Sequence, residues 1–234
     1  MIWNVPKIWK GGECFIIGGG PSFAKQFKIS DTVIKGVLNK TLSIHSYISY
    51  LKDLKHCHII GINAAYELGD IIDILFFGDK SFYRTHRKAL LNFKGIKVTC
   101  SNAGIENYKK ENIKYMFKNK EKVKGITIKT GLVSWNFNSG AASISLAVQL
   151  GVKRIYLLGF DMKLDENNNQ HWHNVYDSAN RNERERRKLP FRKHLGGFSV
   201  IAEDAKKLGI EIINLNSDSA INCFKKMNLE DIVI

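Results

Sequence analysis

The alternation of apolar strands with helices predicts an α/β protein built on a doubly wound, mostly parallel sheet with helices on both faces. Three stretches carry this expectation. Phe15-Ile16-Ile17 is an apolar run that breaks into Gly18-Gly19-Gly20-Pro21-Ser22. Arg154 to Gly159, RIYLLG, reads as a buried parallel strand that ends at Phe160-Asp161. Between them, Gly140-Ala141-Ala142 leads into an apolar helix face at Ile144, Ala147, Val148 and Leu150, closed by Gly151 as its C-terminal glycine.

The remaining elements follow in order. Residues 31–55 show apolar positions at helical spacing (Val33, Val37, Leu38, Leu42, then Ile48, Leu51, Leu54) and predict helices with a loop between them. Residues 58–63 and 71–77 predict the second and third strands, which end on Asn63 and on Gly78-Asp79. A helix follows over 81–93 with Ser81 as cap, then a short strand over 96–100. Residues 102–131 are Lys/Asn-rich and poorly patterned, and predict irregular structure with one hairpin edge. Late in the chain, 198–208 reads as a helix capped by Gly209, 210–215 as a strand and 219–227 as a last short helix.

A chain of 234 residues with 44% apolar and 25% charged residues has the balance of a globular protein with a real core. No linker divides it, so one domain is expected, with 163–197 as a lid or insertion over the site. The start resembles no signal peptide and no stretch approaches a membrane span. Cys14, Cys57, Cys100 and Cys223 stand far apart, which suggests free thiols in a reducing cytoplasm. The net charge of +14 would suit nucleic acid, an anionic surface or a phosphorylated substrate. Its bland alternative is codon bias toward lysine. The densest basic cluster comprises Arg181, Arg184, Arg186, Arg187, Lys188, Arg192 and Lys193, interrupted by Glu183 and Glu185.

A glycine turn between strand and helix lets backbone N–H groups approach a phosphate without a Cβ in the way. Gly18, Gly19 and Gly20 are therefore expected to cradle one, although the stretch is neither a G-x-G-x-x-G fingerprint nor a P-loop. Four strand ends carry polar residues: Asn63, Asp79, Asp161 and Asn214-Leu215-Asn216-Ser217. In open parallel sheets ligands bind at the carboxyl ends of strands, so these residues predict a site along that edge. The competing role for Asn and Asp there is turning the chain. Gln170-His171-Trp172-His173 follows an Asn-rich turn and suits a substrate-facing lid. His173 and His194 are both candidates for a base working near neutral pH. A metal is the rival chemistry: zinc on His171 and His173 with Asp161 or Asp165, or Mg²⁺ between Asp79 and Asp161.

The order of FIIGGGPS at Phe15 to Ser22, Asn63 in IGINAAY, FFGD ending at Asp79, NSGAASISLA from Asn138 and VKRIYLLGFDM ending at Met162 resembles a Rossmann-like family frequent in phage genomes. That family is related to MptE-like 6-hydroxymethylpterin diphosphokinases, and the same motifs are similar to the family 42 bacterial sialyltransferases. The resemblance implies a nucleotide-dependent transferase that moves a sugar from a nucleotide-activated donor to a hydroxyl acceptor, with no metal required. Gly18, Gly20, Pro21 and Ser22 would contact the donor, with Asn63, Ser139, Gly140 and Asp161 at the family's other donor positions, Asn138 beside them as a further donor contact, and His194 as proton acceptor. The arginine that the sialyltransferases carry before Ser-Gly is missing, where Asn136, Phe137 and Asn138 stand, and so are their tyrosines after Gly-x-Asp. Lys163 is the nearest substitute on the phosphate, with His171 and Trp172 on the substrate. Alternatives are an Mg²⁺-dependent diphosphokinase using ATP, and a non-catalytic nucleotide or nucleic-acid binding module. DNA and a glycan both remain open as acceptors, and a homo-oligomer is compatible with everything above.

Overall fold

The protein, described here from a computed structural model over residues 2–176 and 189–232, folds around one large parallel sheet. Its strands are β1 (Glu13–Ile17), β2 (Ile59–Ile62), β3 (Ile74–Phe77), β4 (Ile96–Thr99), β5 (Ile113–Tyr115), β8 (Arg154–Leu158), β9 (Glu211–Asn214) and β10 (Lys225–Lys226). They lie in the order β10-β9-β8-β1-β2-β3-β4-β5, and every pairing is parallel. A separate parallel pair joins β6 (Phe117–Lys118) to β7 (Leu132–Val133). No described helix is long and apolar enough to cross a membrane.

Alternation along the strands sends successive side chains to opposite faces. Ile16, Ile60, Ile62, Ile74, Phe76, Ile155 and Leu157 point to one core, shared with α4 (Ser139–Leu150) and α6 (Phe198–Leu208). Phe15, Ile17, Ile59, Tyr156 and Leu158 point to the other, covered by α1 (Ser22–Gln26) and α2 (Asp31–Leu38). Leu75 and Phe77 pack with Phe82 and Tyr83 of α3 (Lys80–Leu90). Central strands buried on both faces need apolar residues at every position, which is why they read as continuous runs.

Some expectations are corrected. Beyond α2, residues 44–50 and 52–56 form 3-10 turns, not an α-helix. α3 starts after Asp79, earlier than the Ser81 cap implied. The predicted hairpin edge is replaced by parallel pairs, β4 with β5 and β6 with β7. Residues 219–227 hold no helix: Ser219 Oγ donates to the Phe160 carbonyl at 2.6 Å and Lys226 Nζ to the Ser219 carbonyl at 2.6 Å, and the chain then adds β10 to the sheet. Tertiary hydrogen bonds have overridden a weak local helical pattern. The four cysteines are free, Cys14 and Cys100 buried, Cys57 half-buried and Cys223 exposed. Of the basic cluster, Arg181, Arg184, Arg186, Arg187 and Lys188 lie outside the described residues, while Arg192 and Lys193 fall in α5 (Phe191–Leu195).

Candidate functional site

The strand order reverses at β1. The chain runs outward through β2, β3, β4 and β5, then returns to place β8 on the other side of β1. Such a switch point is where a crevice opens at the carboxyl ends of the strands in a doubly wound sheet. A cleft does open there. Its floor is Gly18, Gly19 and Gly20, and its walls include Asn63, Asp79, Asn138, Ser139, Gly140, Asp161, Lys163, His171 and His194. Most residues singled out in the sequence are thus brought to one place.

The triglycine turn is built differently from the expected cradle. Gly18 N–H donates to the Leu158 carbonyl and Gly20 N–H to the Gly159 carbonyl, each at 2.8 Å. Only the Gly19 N–H is left without a protein acceptor among the described residues. The flanking glycines are needed for close approach to the β8 loop: a Cβ on Gly18 would sit 2.8 Å from the Gly159 carbonyl oxygen, and one on Gly20 would run into the Asp161 carboxylate. Pro21 and Ser22 lie outside the cleft lining. Ser22 N–H (3.2 Å) and Oγ (2.9 Å) donate to Asp161, so this serine staples two loops together.

Asp161 therefore has a structural role alongside its place in the wall. Asn216 Nδ2 adds a third hydrogen bond at 3.1 Å, and Asn214 Nδ2 supports the preceding Phe160 carbonyl at 3.3 Å. Burial pushes the Asp161 carboxyl up to about 6, against the pull of its Ser22 bonds. Its Oδ1 thus accepts two hydrogen bonds and its Oδ2 one, so the carboxylate expected to share Mg²⁺ with Asp79 is engaged by Ser22 and Asn216. No group of three His, Cys, Asp or Glu side chains among the described residues is arranged to hold a metal ion, which leaves zinc on His171 and His173 without a ligand set.

The expected lid also differs. Trp172 is 1% exposed: its Nε1–H donates to the Gly18 carbonyl at 2.8 Å, its N–H to the Gly19 carbonyl at 3.1 Å, and its ring packs on Phe23 and Tyr47. It belongs to the core beneath the turn and does not face substrate. His173 is buried too, stacked on His171 with ring centroids 5.0 Å apart, and its Nδ1 accepts from Val175 N–H at 3.3 Å. Burial and the neighbouring His171 hold its imidazole well below the ordinary value. It is absent from the cleft lining, unlike His171, whose Nδ1 lies 3.2 Å from the Gly19 carbonyl oxygen.

His194 lies on α5 and lines the cleft. Burial lowers its pKa, while Asp79 raises and Lys193 lowers it further. Its imidazole is therefore held toward the neutral form. Across from it, α4 begins at the cleft. Asn138 caps the helix, its Oδ1 accepting from Ala141 N–H at 2.7 Å, and the N–H groups of Ser139 and Gly140 have no acceptor among the described residues. A helix N-terminus with free amides attracts an anion. Ser139 is buried and donates to Asp79 at 3.3 Å. Among the described residues, the buried Asn63 Oδ1 has no hydrogen-bond partner, an acceptor in want of a donor. Lys163 pairs with the exposed Asp218 at 2.6 Å.

Phe137 and Met162 also line the cleft, and sequence reasoning missed both. With Asn63 they occupy the left-handed region (φ 63°, 53° and 50°), unusual for side chains of their size. Such conformations cost on the order of 1–3 kcal/mol each and gather at functional sites. Neither residue type signals this in the sequence.

No protein-family model matches the chain, and no curated protein matches it. Solved structures do share its overall arrangement. The sialyltransferase CstII from Campylobacter jejuni, in complex with the substrate analogue cytidine-5'-monophosphate, is 14% identical over 92% of this chain and 84% of that one, with a TM-score of 0.48. The monofunctional alpha-2,3-sialyltransferase Cst-I from Campylobacter jejuni is 17% identical over 89% and 77%, with a TM-score of 0.47. Likeness of this degree carries no statement about substrate or reaction.

Proposed function

We propose that the chain is a transferase that moves a sugar from a nucleotide-activated donor to a hydroxyl acceptor by single displacement, with His194 as base. One observation carries the reading: a neutral imidazole opens onto the same cleft as the unpaired amides of Gly19, Ser139 and Gly140. A group transfer of this kind needs a base for the acceptor hydroxyl and donors for the charge that grows on the departing phosphate. The acceptor oxygen bonds to the anomeric carbon as the bond from that carbon to the phosphate oxygen breaks, and the hydroxyl proton passes to His194. The α4 amides and Gly19 N–H receive the phosphate charge, and Lys163 contributes when it exchanges Asp218 for the ligand. Asn63 Oδ1 takes a hydrogen bond from a hydroxyl or amine of the donor. In this reading the whole chain is one nucleotide-binding domain, and the described parts of its expected cover, 163–176 and 189–197, bring His171 and His194 to the cleft, while 177–188 lie outside the described residues. His173 is assigned to supporting that cover instead of the chemistry.

Thermal-shift measurements with CMP, UDP, GDP and ATP, with and without Mg²⁺, test the reading. Stabilisation by a nucleotide in the absence of Mg²⁺ is expected. Stabilisation by ATP alone, and only with Mg²⁺, would replace the glycosyl transfer by pyrophosphate transfer. His194→Gln should keep the nucleotide response and lose about 10²–10⁴-fold in turnover.

A further inference from the structure

The α4 N-terminus serves more than the helix it starts. Asn138 caps α4 through Oδ1, and at the same time its Nδ2 donates to the backbone carbonyl of His194 at 3.2 Å. A cap needs only an oxygen. Asn is the cap type that also brings N–H donors on the same side chain. The next residue, Ser139, accepts from Gly78 N–H at 3.1 Å and donates to the Asp79 carboxylate at 3.3 Å. Asp79 stands at the N-cap position of α3 yet makes no capping bond to it, so the ordinary job of an Asp at that place is not being done. Its charge is instead felt by His194. Two consecutive residues thus bond to the helix that carries His194 and to an acid that lines the same cleft.

We propose that Asn138 and Asp79 are positioning residues for His194: Asn138 fixes where the helix carrying the base sits, and Asp79 stabilises the charge the imidazole gains on taking a proton. The inference rests on the reading of His194 as base and adds the means by which that base is placed. The proton balance is simple. The acceptor hydroxyl loses a proton and His194 becomes an imidazolium, whose charge the Asp79 carboxylate of the same cleft lining offsets. Among the described residues, the other charged or titratable groups of the His194 helix and of the cleft lining are Arg192 and Lys193, and Asp161, Lys163 and His171.

NMR titration of the His194 imidazole in the full chain, its resonance identified by loss in His194→Gln, tests the acid. In Asp79→Asn the midpoint should fall below that of the unaltered protein, and in Ser139→Ala, where Asp79 loses its tether, it should fall by less. An unchanged midpoint in Asp79→Asn would overturn the assignment. Asn138→Ser keeps a capping oxygen but removes the donor to His194. It should leave the thermal midpoint in place, speed amide exchange across Phe191–Leu195, and lower kcat with the donor KM unchanged. Exchange equal to that of the unaltered chain would overturn the tether. Titration and exchange need no turnover, so the fate of the transferase reading is separable: with both effects present and no nucleotide bound, the contacts stand and the reaction falls. With nucleotide-dependent turnover present and neither effect seen, the reaction stands and the positioning falls.

Discussion

Asp161 shows how one side chain can be both structural and pH-sensitive. Its three hydrogen bonds favour the ionised form, but burial outweighs them and its carboxyl titrates near 6, above the ordinary 3.8. A group with a raised pKa in the fold holds a proton that the unfolded chain has already released. Between about pH 4 and 6 the folded state therefore binds more protons, and its stability falls as pH rises through that window. The full shift corresponds to about 3 kcal/mol. His173 acts the other way: held neutral by burial, it costs stability as pH drops below the ordinary histidine value of 6.5. Asp161→Asn isolates the first effect. Relative to the unaltered protein it should look costly at pH 4.5 and gain about 2 kcal/mol by pH 7, read as the difference in urea unfolding free energy at each pH. An Asn variant with the same relative stability at both would show that Asp161 ionises freely in the fold.

At the level of the elements, the turn after β1 separates two meanings of glycine that the sequence shows as one. A Cβ on Gly20 would overlap Asp161 and lie 2.6 Å from the Gly159 carbonyl oxygen, so Gly20→Ala should cost at least about 2 kcal/mol by forcing the two loops apart. A Cβ on Gly19 would meet the tip of the His171 ring at 3.0 Å, a side chain that can move. Gly19→Ala should therefore leave the unfolding midpoint nearly unchanged while abolishing nucleotide stabilisation; equal losses of stability in the two variants would dissolve the distinction. The strands, α6 and α4 were legible because their causes are local: unbroken apolar runs, and Gly151 and Gly209 in the left-handed conformation at the helix ends. The turn's amides were not, because their partners Leu158 and Gly159 stand far along the chain. Nor was the burial of Trp172, which sits in a polar stretch and is drawn inward by the carbonyls of Gly18 and Gly19. Of the polar strand ends, Asn63, Asp79 and Asp161 line one cleft, whereas Asn214 and Asn216 brace Asp161 and its neighbour.

Taken as a whole, the molecule joins a local anion site to a diffuse positive charge, and the two predict different behaviour toward salt. The cleft concentrates its donors at one helix end and one turn, enough for a phosphate or two. The net charge of +14 is mostly lysine scattered along the chain. Were this charge the working surface, binding would run along a polyanion and lose about 10³–10⁵ in affinity between 50 and 200 mM salt for six to ten phosphate contacts. A nucleotide held at the α4 N-terminus displaces few counterions, so its Kd should rise less than about tenfold over the same range. At a ligand concentration of about 100 Kd it should stabilise the fold by about 2.7 kcal/mol, which for a chain of this size raises Tm by about 5–10 °C. Isothermal titration with the best nucleotide at both salt concentrations, repeated with a single-stranded oligonucleotide as competitor, separates the cases. A shallow slope and no competition belong to a small-donor cleft. A steep slope, with the oligonucleotide displacing the nucleotide, would move the function to the basic surface and leave His194 and the α4 amides without their part in a transfer.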